Sequence, residues 1–249
     1  MRLRFSIVSL TSCSGCISTL FSLDIISQFM ERSSFNYFPF ISDMKEIQDH
    51  DITLVEGCVS KKSQIEILQK LRKHSKKIYA LGSCAAFGGI LSLAENKDAK
   101  PISKYIDIDG IIPGCPPPEN LFGNCLIRLM ENKEISLSQK TLCFECPLKK
   151  QNGINVNKKI EKILPDLDLL DNNKSEECFL SRGILCFGPI TRDGCEHKCI
   201  IQNVPCEGCM GPVAKDQLSN IINFMSLYKI SKNLKEEKSL YFKFSKPEL

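Results

Sequence analysis

The chain of 249 residues has no run approaching 18 apolar residues, so nothing in it reads as a membrane-spanning helix. It has little net charge. The 33 basic and 29 acidic residues leave +4, evenly spread and without a basic patch interleaved with aromatics, which argues against a nucleic-acid partner. It has no phosphate-binding glycine loop, no dinucleotide fingerprint, no evident nucleophile–base pair and no internal repeat. The N-terminal apolar run Phe5–Leu10 is six residues, shorter than a signal-peptide core. The expected location is therefore the cytoplasm, where thiols stay reduced.

What the chain has in excess is cysteine, 14 residues in all. The apolar fraction of 43% is ordinary, so a core can form without staples. Disulfide-dense proteins are usually short and secreted, and neither description suits this sequence. Reduced, clustered cysteines in a cytoplasmic chain point to metal.

The first half alternates short apolar strands with amphipathic helices. Strands are expected at Phe5–Leu10, Ile52–Val55, Ile78–Leu81 and Gly110–Ile112. Helices are expected at Ile17–Met30, after a cap at Ser60 with Ile65, Leu68 and Leu71 on one face, and from about Glu119 to Met130. This alternation predicts an α/β fold, a parallel sheet with helices on both faces. Residues 132–142 are polar and read as a linker. From Cys143 to Pro212 the chain is rich in glycine and proline, holds eight cysteines and shows little periodicity. Such a segment is expected to need an inorganic group to organise it. A last helix is expected over Ala214–Tyr228, with Leu218, Ile221, Ile222, Met225 and Tyr228 on one face. The expected organisation is a sheet domain over 1–138, a metal-organised domain over 139–228 and a lysine-rich tail over 229–249.

In the first half the cysteines follow strands. Cys13 and Cys16 follow the first, Cys58 the second, Cys84 the third and Cys115 the fourth. In an open parallel sheet, ligands bind outside the carboxyl ends of the strands, so these residues converge on one crevice. Groups of four thiolates select iron–sulfur clusters or zinc. Only Cys13-x2-Cys16 is a tight pair, which favours a cluster over a structural zinc site. In the second half, Cys143, Cys146, Cys178, Cys186, Cys195, Cys199, Cys206 and Cys209 divide by count into two further sets. A zinc ribbon from Cys143-x2-Cys146 and Cys206-x2-Cys209 would have too long a spacer and leave four cysteines idle. Cys125, inside a helix, reads as a small core residue, and His197 as a surface residue.

Cys13-Ser14-Gly15-Cys16, Val55-Glu56-Gly57, Gly82-Ser83-Cys84-Ala85-Ala86-Phe87-Gly88-Gly89 and Pro113-Gly114-Cys115-Pro116-Pro117 occur in order. Together they resemble the proximal-cluster domain of nickel–iron hydrogenase small subunits, a flavodoxin-like domain shared with a respiratory complex I subunit. The run Cys186-Phe187-Gly188-Pro189-Ile190-Thr191 and the segment Pro205-Cys206-Glu207-Gly208-Cys209 resemble the cluster motifs that follow in the same family. Among its branches the chain is most similar to the cytoplasmic, anaerobic types: the heterodisulfide-reductase-linked, deazaflavin-non-reducing small subunits and the sulfhydrogenase delta subunits. The resemblance implies three 4Fe–4S clusters: a proximal one on Cys13, Cys16, Cys84 and Cys115, a distal one on Cys143, Cys146, Cys178 and Cys186, and a medial one on Cys195, Cys199, Cys206 and Cys209. It implies no catalytic residue on this chain, whose role would be electron transfer. Dihydrogen would be split at a nickel–iron site in a large subunit covering the crevice around Cys13, Gly15, Glu56 and Gly89. Electrons would leave to a flavin, ferredoxin-like or heterodisulfide-reductase-linked subunit. Glu56 would line that interface or a proton route. The alternatives are a complex I-like quinone-reducing module and a zinc-binding interaction protein.

Overall fold

In the computed structural model, residues 2–41, 46–93, 98–152, 158–164, 176–213, 217–231 and 243–244 are described. Strand β1 (Leu3–Ser9) buries Phe5 and Ile7 in one core and Val8 in another. Because side chains of a strand alternate, a strand with both faces buried must have cover on both sides. Two short helices, α1 (Gly15–Ser22) and α2 (Ile26–Arg32), cover the first face and lead into β2 (Ser33–Tyr37). The single helix expected over Ile17–Met30 is therefore two. The chain breaks at Leu23, which is extended and buried, so the turn sends its side chain into the core.

Strand β3 (His50–Glu56) lies beside β1, with Phe5 opposite Ile52 and Ser9 opposite Glu56. Helix α3 (Lys62–His74) follows and buries Leu68 and Leu71 against the second face. Its cap is Lys61, not Ser60: the Gln64 side chain reaches back and accepts both the Ser60 and Lys61 amides. Strand β4 (Ser75–Leu81), the short α4 (Gly82–Phe87), β5 (Gly110–Ile112) and α5 (Glu119–Met130) complete the first unit. All pairings are parallel and the strand order is β2-β1-β3-β4-β5, the flavodoxin-like order.

The chain divides into two compact units between Leu137 and Ser138. The second has few regular elements: α6 (Pro147–Asn152), α7 (Lys198–Ile201) and α8 (Gln217–Leu227). Thr191 and Arg192 act as a seam, bridged to Pro212 on one side and Thr141 on the other. Its core includes Leu142, Phe179, Ile184, Phe187, Ile221 and Phe224, with Cys146, Cys178, Cys186 and Cys206 among them. On α8 Ile221 and Phe224 are buried and Met225 half-buried, the half-buried Tyr228 just past its end continues the stripe, and Ile222 is 54% exposed. Ile222 lies about 100° round the helix from Ile221, so it cannot share that stripe. Residues 214–216 of the expected helix lie outside the described residues, as does most of the tail after 231. No helix among the described residues is long and apolar enough to cross a membrane.

Candidate metal centres at the strand ends and in the second unit

The adjacent strands β1, β3, β4 and β5 all end at one edge of the sheet, and the thiols of Cys13, Cys16, Cys84 and Cys115 gather there. Burial pushes the Cys16 thiol strongly up, with further contributions from Glu56, Cys84, Cys115 and Cys13. Burial, then Cys115 and other neighbours, raises Cys84 to about 12. Cys115 is raised by burial and by Cys13. Thiols that oppose one another's ionisation in this way become ligands when a cationic group compensates the thiolate charge.

The backbone at this edge has no room for side chains. A Cβ on Gly82 would stand 2.3 Å from the Cys16 sulfur, and one on Gly89 2.5 Å from that of Cys84. Both glycines have positive φ, which fits glycine independently of space. Glu56, 1% exposed, closes the site from below. Its carboxylate accepts the Cys16 amide at 3.1 Å and the Ser9 hydroxyl at 2.9 Å. Glu56 is thus buried within the chain. Gly89 is buried too, and the exposed groups at this edge include Cys13, Cys115, Pro116 and Ile90. Cys58 is fully buried, its sulfur against the Thr11 carbonyl at 3.5 Å. Cys125 is buried in α5.

In the second unit, Cys143, Cys146, Cys178 and Cys186 line one pocket with Leu142, Phe179, Gly188 and Ile200. Burial first, then Cys186, Cys146 and Cys178, raises the Cys143 thiol to about 12. Burial likewise takes Cys186 to about 12, against the opposing effect of amides from Gly188 and Cys206. Cys178 is also raised by burial and receives amides from Leu180 and Ser181. A Cβ on Gly188 would lie 3.3 Å from the Cys143 sulfur and 3.7 Å from that of Cys186. Among the remaining four thiols Cys195 is coupled to Cys199, and Cys206 first to Cys186 of the pocket and then to Cys209. Cys195 is raised by burial to about 11, with Glu145 and Cys199 adding to it. Cys206 is pushed well up by burial, with Cys186 and Cys209 adding to it and the Gly208 amide and Thr191 hydroxyl opposing. His197, half-buried and at positive φ, has its Nδ1 buried without a hydrogen-bond partner among the described residues, so it is not a plain surface residue.

These residues fit iron–sulfur clusters by three observations. The donors are thiols, the softest protein ligands. Glycines let the backbone crowd the sulfurs. Backbone amides point at them, the Cys206 amide reaching the Cys186 sulfur at 3.4 Å, and such bonds tune cluster potentials. Among the described residues no three Cys, His, Asp or Glu side chains draw together around a single ion. Sequence reasoning missed Ser9 and Glu145, whose partners Glu56 and Gly194 are distant in the chain.

Residues 13–129 match the family described as NADH ubiquinone oxidoreductase, 20 Kd subunit. The chain is 32% identical over 249 residues to an F420-non-reducing hydrogenase vhu subunit of Methanocaldococcus jannaschii, covering 86% of this chain and 84% of that one. It is 28% identical over 229 residues to the delta subunit of sulfhydrogenase 2 of Pyrococcus furiosus, covering 84% and 86%. Among solved structures, a reduced, active Ni-Fe-Se hydrogenase from Desulfomicrobium baculatum superposes with a TM-score of 0.62 at 18% identity, covering 87% of this chain and 97% of that one, a likeness of fold. The archaeal match runs through both units and both groups of cysteines, and the chain belongs with these F420-non-reducing hydrogenase subunits to the small, electron-transfer type of nickel–iron hydrogenase subunit.

Proposed function

We propose that the chain holds three 4Fe–4S clusters and relays electrons from dihydrogen oxidation in a large subunit to a further redox subunit. As a hydrogenase subunit it works with a nickel–iron site on another chain. The observation that carries the proposal is the gathering of thiols at the strand ends and in the cysteine-lined pocket, each set with backbone amides or glycines crowding its sulfurs. The proximal cluster would be held by Cys13, Cys16, Cys84 and Cys115. The distal one would take Cys143, Cys146, Cys178 and Cys186, and the medial one Cys195, Cys199, Cys206 and Cys209. Bound clusters supply one-electron carriers.

The chain's own residues bind and orient. Glu56 holds the Cys16 end of the first ligand loop, and Gly82 and Gly89 leave space beside the sulfurs. Exposed Cys13 and Cys115 put the proximal set at the surface where a large subunit would cover it. The acceptor would be a flavin, ferredoxin-like or heterodisulfide-reductase-linked subunit, and the compartment the cytoplasm. We assign residues 1–138 to the proximal domain, 139–228 to the two-cluster domain and 229–249 to the tail. The complex I-like reading rests on a match confined to residues 13–129, whereas the hydrogenase relatives extend over both units.

Anaerobic metal analysis of the purified chain tests this. About twelve irons with equal sulfide are expected from three four-iron clusters. Zinc in their place, or about four irons, would refute the three-cluster assignment.

A further inference from the structure

We infer that Glu145 is a positioning residue that ties the two thiol sets of the second unit together and holds down the potential of the cluster on Cys195. The inference rests on the three-cluster reading above. Glu145 belongs by sequence to the first set, lying between Cys143 and Cys146. Its carboxylate nevertheless turns to the second: Oε1 accepts the Gly194 amide at 3.2 Å and stands 3.9 Å from the Cys195 sulfur. The two segments run side by side at this point. Thr141 bridges to Arg192, the Leu142 amide donates to the Thr191 carbonyl at 2.8 Å, and the Asp193 amide donates to that of Lys140 at 3.1 Å.

The neighbouring charges do not cancel it. The Arg192 guanidinium donates to the backbone carbonyls of Ser138, Pro212 and Val213, and the carboxylate that its charge acts on is that of adjacent Asp193. Asp193 is buried in the same seam, with Oδ1 lacking a hydrogen-bond partner among the described residues. When Cys195 is a ligand, its sulfur carries no proton to donate. The carboxylate then stays on the Gly194 amide with its charge against a ligand sulfur. A fixed negative charge there opposes the arrival of an electron, and it does so in a site partly shielded from water. The same side chain rides on the Cys143–Cys146 loop, so its bond to Gly194 tethers that loop to the Cys195 segment, while its charge faces Cys195.

The test is an anaerobic redox titration followed by electron paramagnetic resonance, with iron content, on the purified complex as wild type, Glu145→Gln, Glu145→Asp and Glu145→Ala. Glu145→Gln keeps an acceptor for Gly194 and is expected to retain full iron. It should raise the midpoint of one cluster of the second unit and leave that of the other in place. Glu145→Asp should fall between Gln and wild type. Glu145→Ala should also alter the line shape, because the Gly194 anchor is gone. Unchanged midpoints in Glu145→Gln at full iron overturn the inference and leave the cluster reading standing. If Glu145→Gln loses iron while Glu145→Asp keeps it, the side chain holds the ligands in place and does not set the potential, which overturns the inference. A wild type with iron for one cluster alone overturns both.

Discussion

Gly82 has no room for even a methyl group, since a Cβ there would stand 2.3 Å from the Cys16 sulfur. Its φ of +80° also lies where an L side chain is strained. Gly82→Ala is therefore expected to displace a proximal ligand and cost about a third of the iron, four of about twelve atoms. Cys125→Ala is the control: that thiol is buried in α5, and its burial raises it to about 12, as for an apolar core group. It should keep all the iron and cost about 1 kcal/mol in urea unfolding. Iron loss in Cys125→Ala and not in Gly82→Ala would reverse the assignment. His50 gives a pH dependence. It is 1% exposed, and neither ring nitrogen has a hydrogen-bond partner among the described residues. Burial lowers its pKa; Arg4 and His74 add to this, against Asp49 and Asp51. With the folded pKa below the unfolded one, the unfolded chain binds more protons. The stability is thus present above about pH 6.5 and lost as pH falls below it. Urea midpoints of cluster-bearing chains fall in acid for other reasons too, so the comparison is with His50→Leu, whose midpoint should fall less steeply over the same range. Parallel slopes would exclude the role.

At the scale of elements, the strand ends do the positioning. Glu56 is the last residue of β3, and it joins β1 through Ser9 to α1 through the Cys16 amide. Glu56→Ala leaves that buried amide without an acceptor and should cost about 1–3 kcal/mol, read by urea unfolding. Glu56→Gln keeps an acceptor and should cost less; equal losses would mean the charge, not the hydrogen bond, holds the loop. Much of this architecture was legible. Pro116-Pro117-Pro118 marks the start of α5, and continuous apolar runs mark β3 and β4 as doubly covered strands. Strand β2 was not legible, because Ser33-Ser34-Phe35-Asn36-Tyr37 reads as polar and follows α2 without a turn. The cap of α3 was misread because Gln64 reaches back from inside the helix. The candidate proximal set was readable since Cys13 and Cys16 follow β1, Cys84 follows β4 and Cys115 follows β5. Glu145 was not, because its partner Gly194 is 49 residues away and only folding brings them together.

At the scale of the whole molecule, the two units depend differently on metal. The first has cores on both faces of its sheet, built from Phe5, Leu54, Tyr79 and Phe122 on one side and Val55, Leu68, Leu71 and Ile78 on the other. Apolar burial of that extent sustains a fold by itself. The second counts Cys146, Cys178, Cys186 and Cys206 among its buried core and joins them by segments with few regular elements. With clusters bound as proposed, its ordering is expected to draw on the free energy of ligand–metal bonds. Stripping the clusters with chelator under mild acid should therefore open the second unit first. Trypsin is expected to cut at exposed Lys158, Lys159 and Lys198 and to leave a fragment of the first unit ending near Lys133 or Lys140, identified by mass spectrometry. The cluster-loaded chain should resist at the same sites. If both units of the stripped chain are degraded at one rate, the first unit also leans on its cluster, and the sheet's two cores are not enough to hold it.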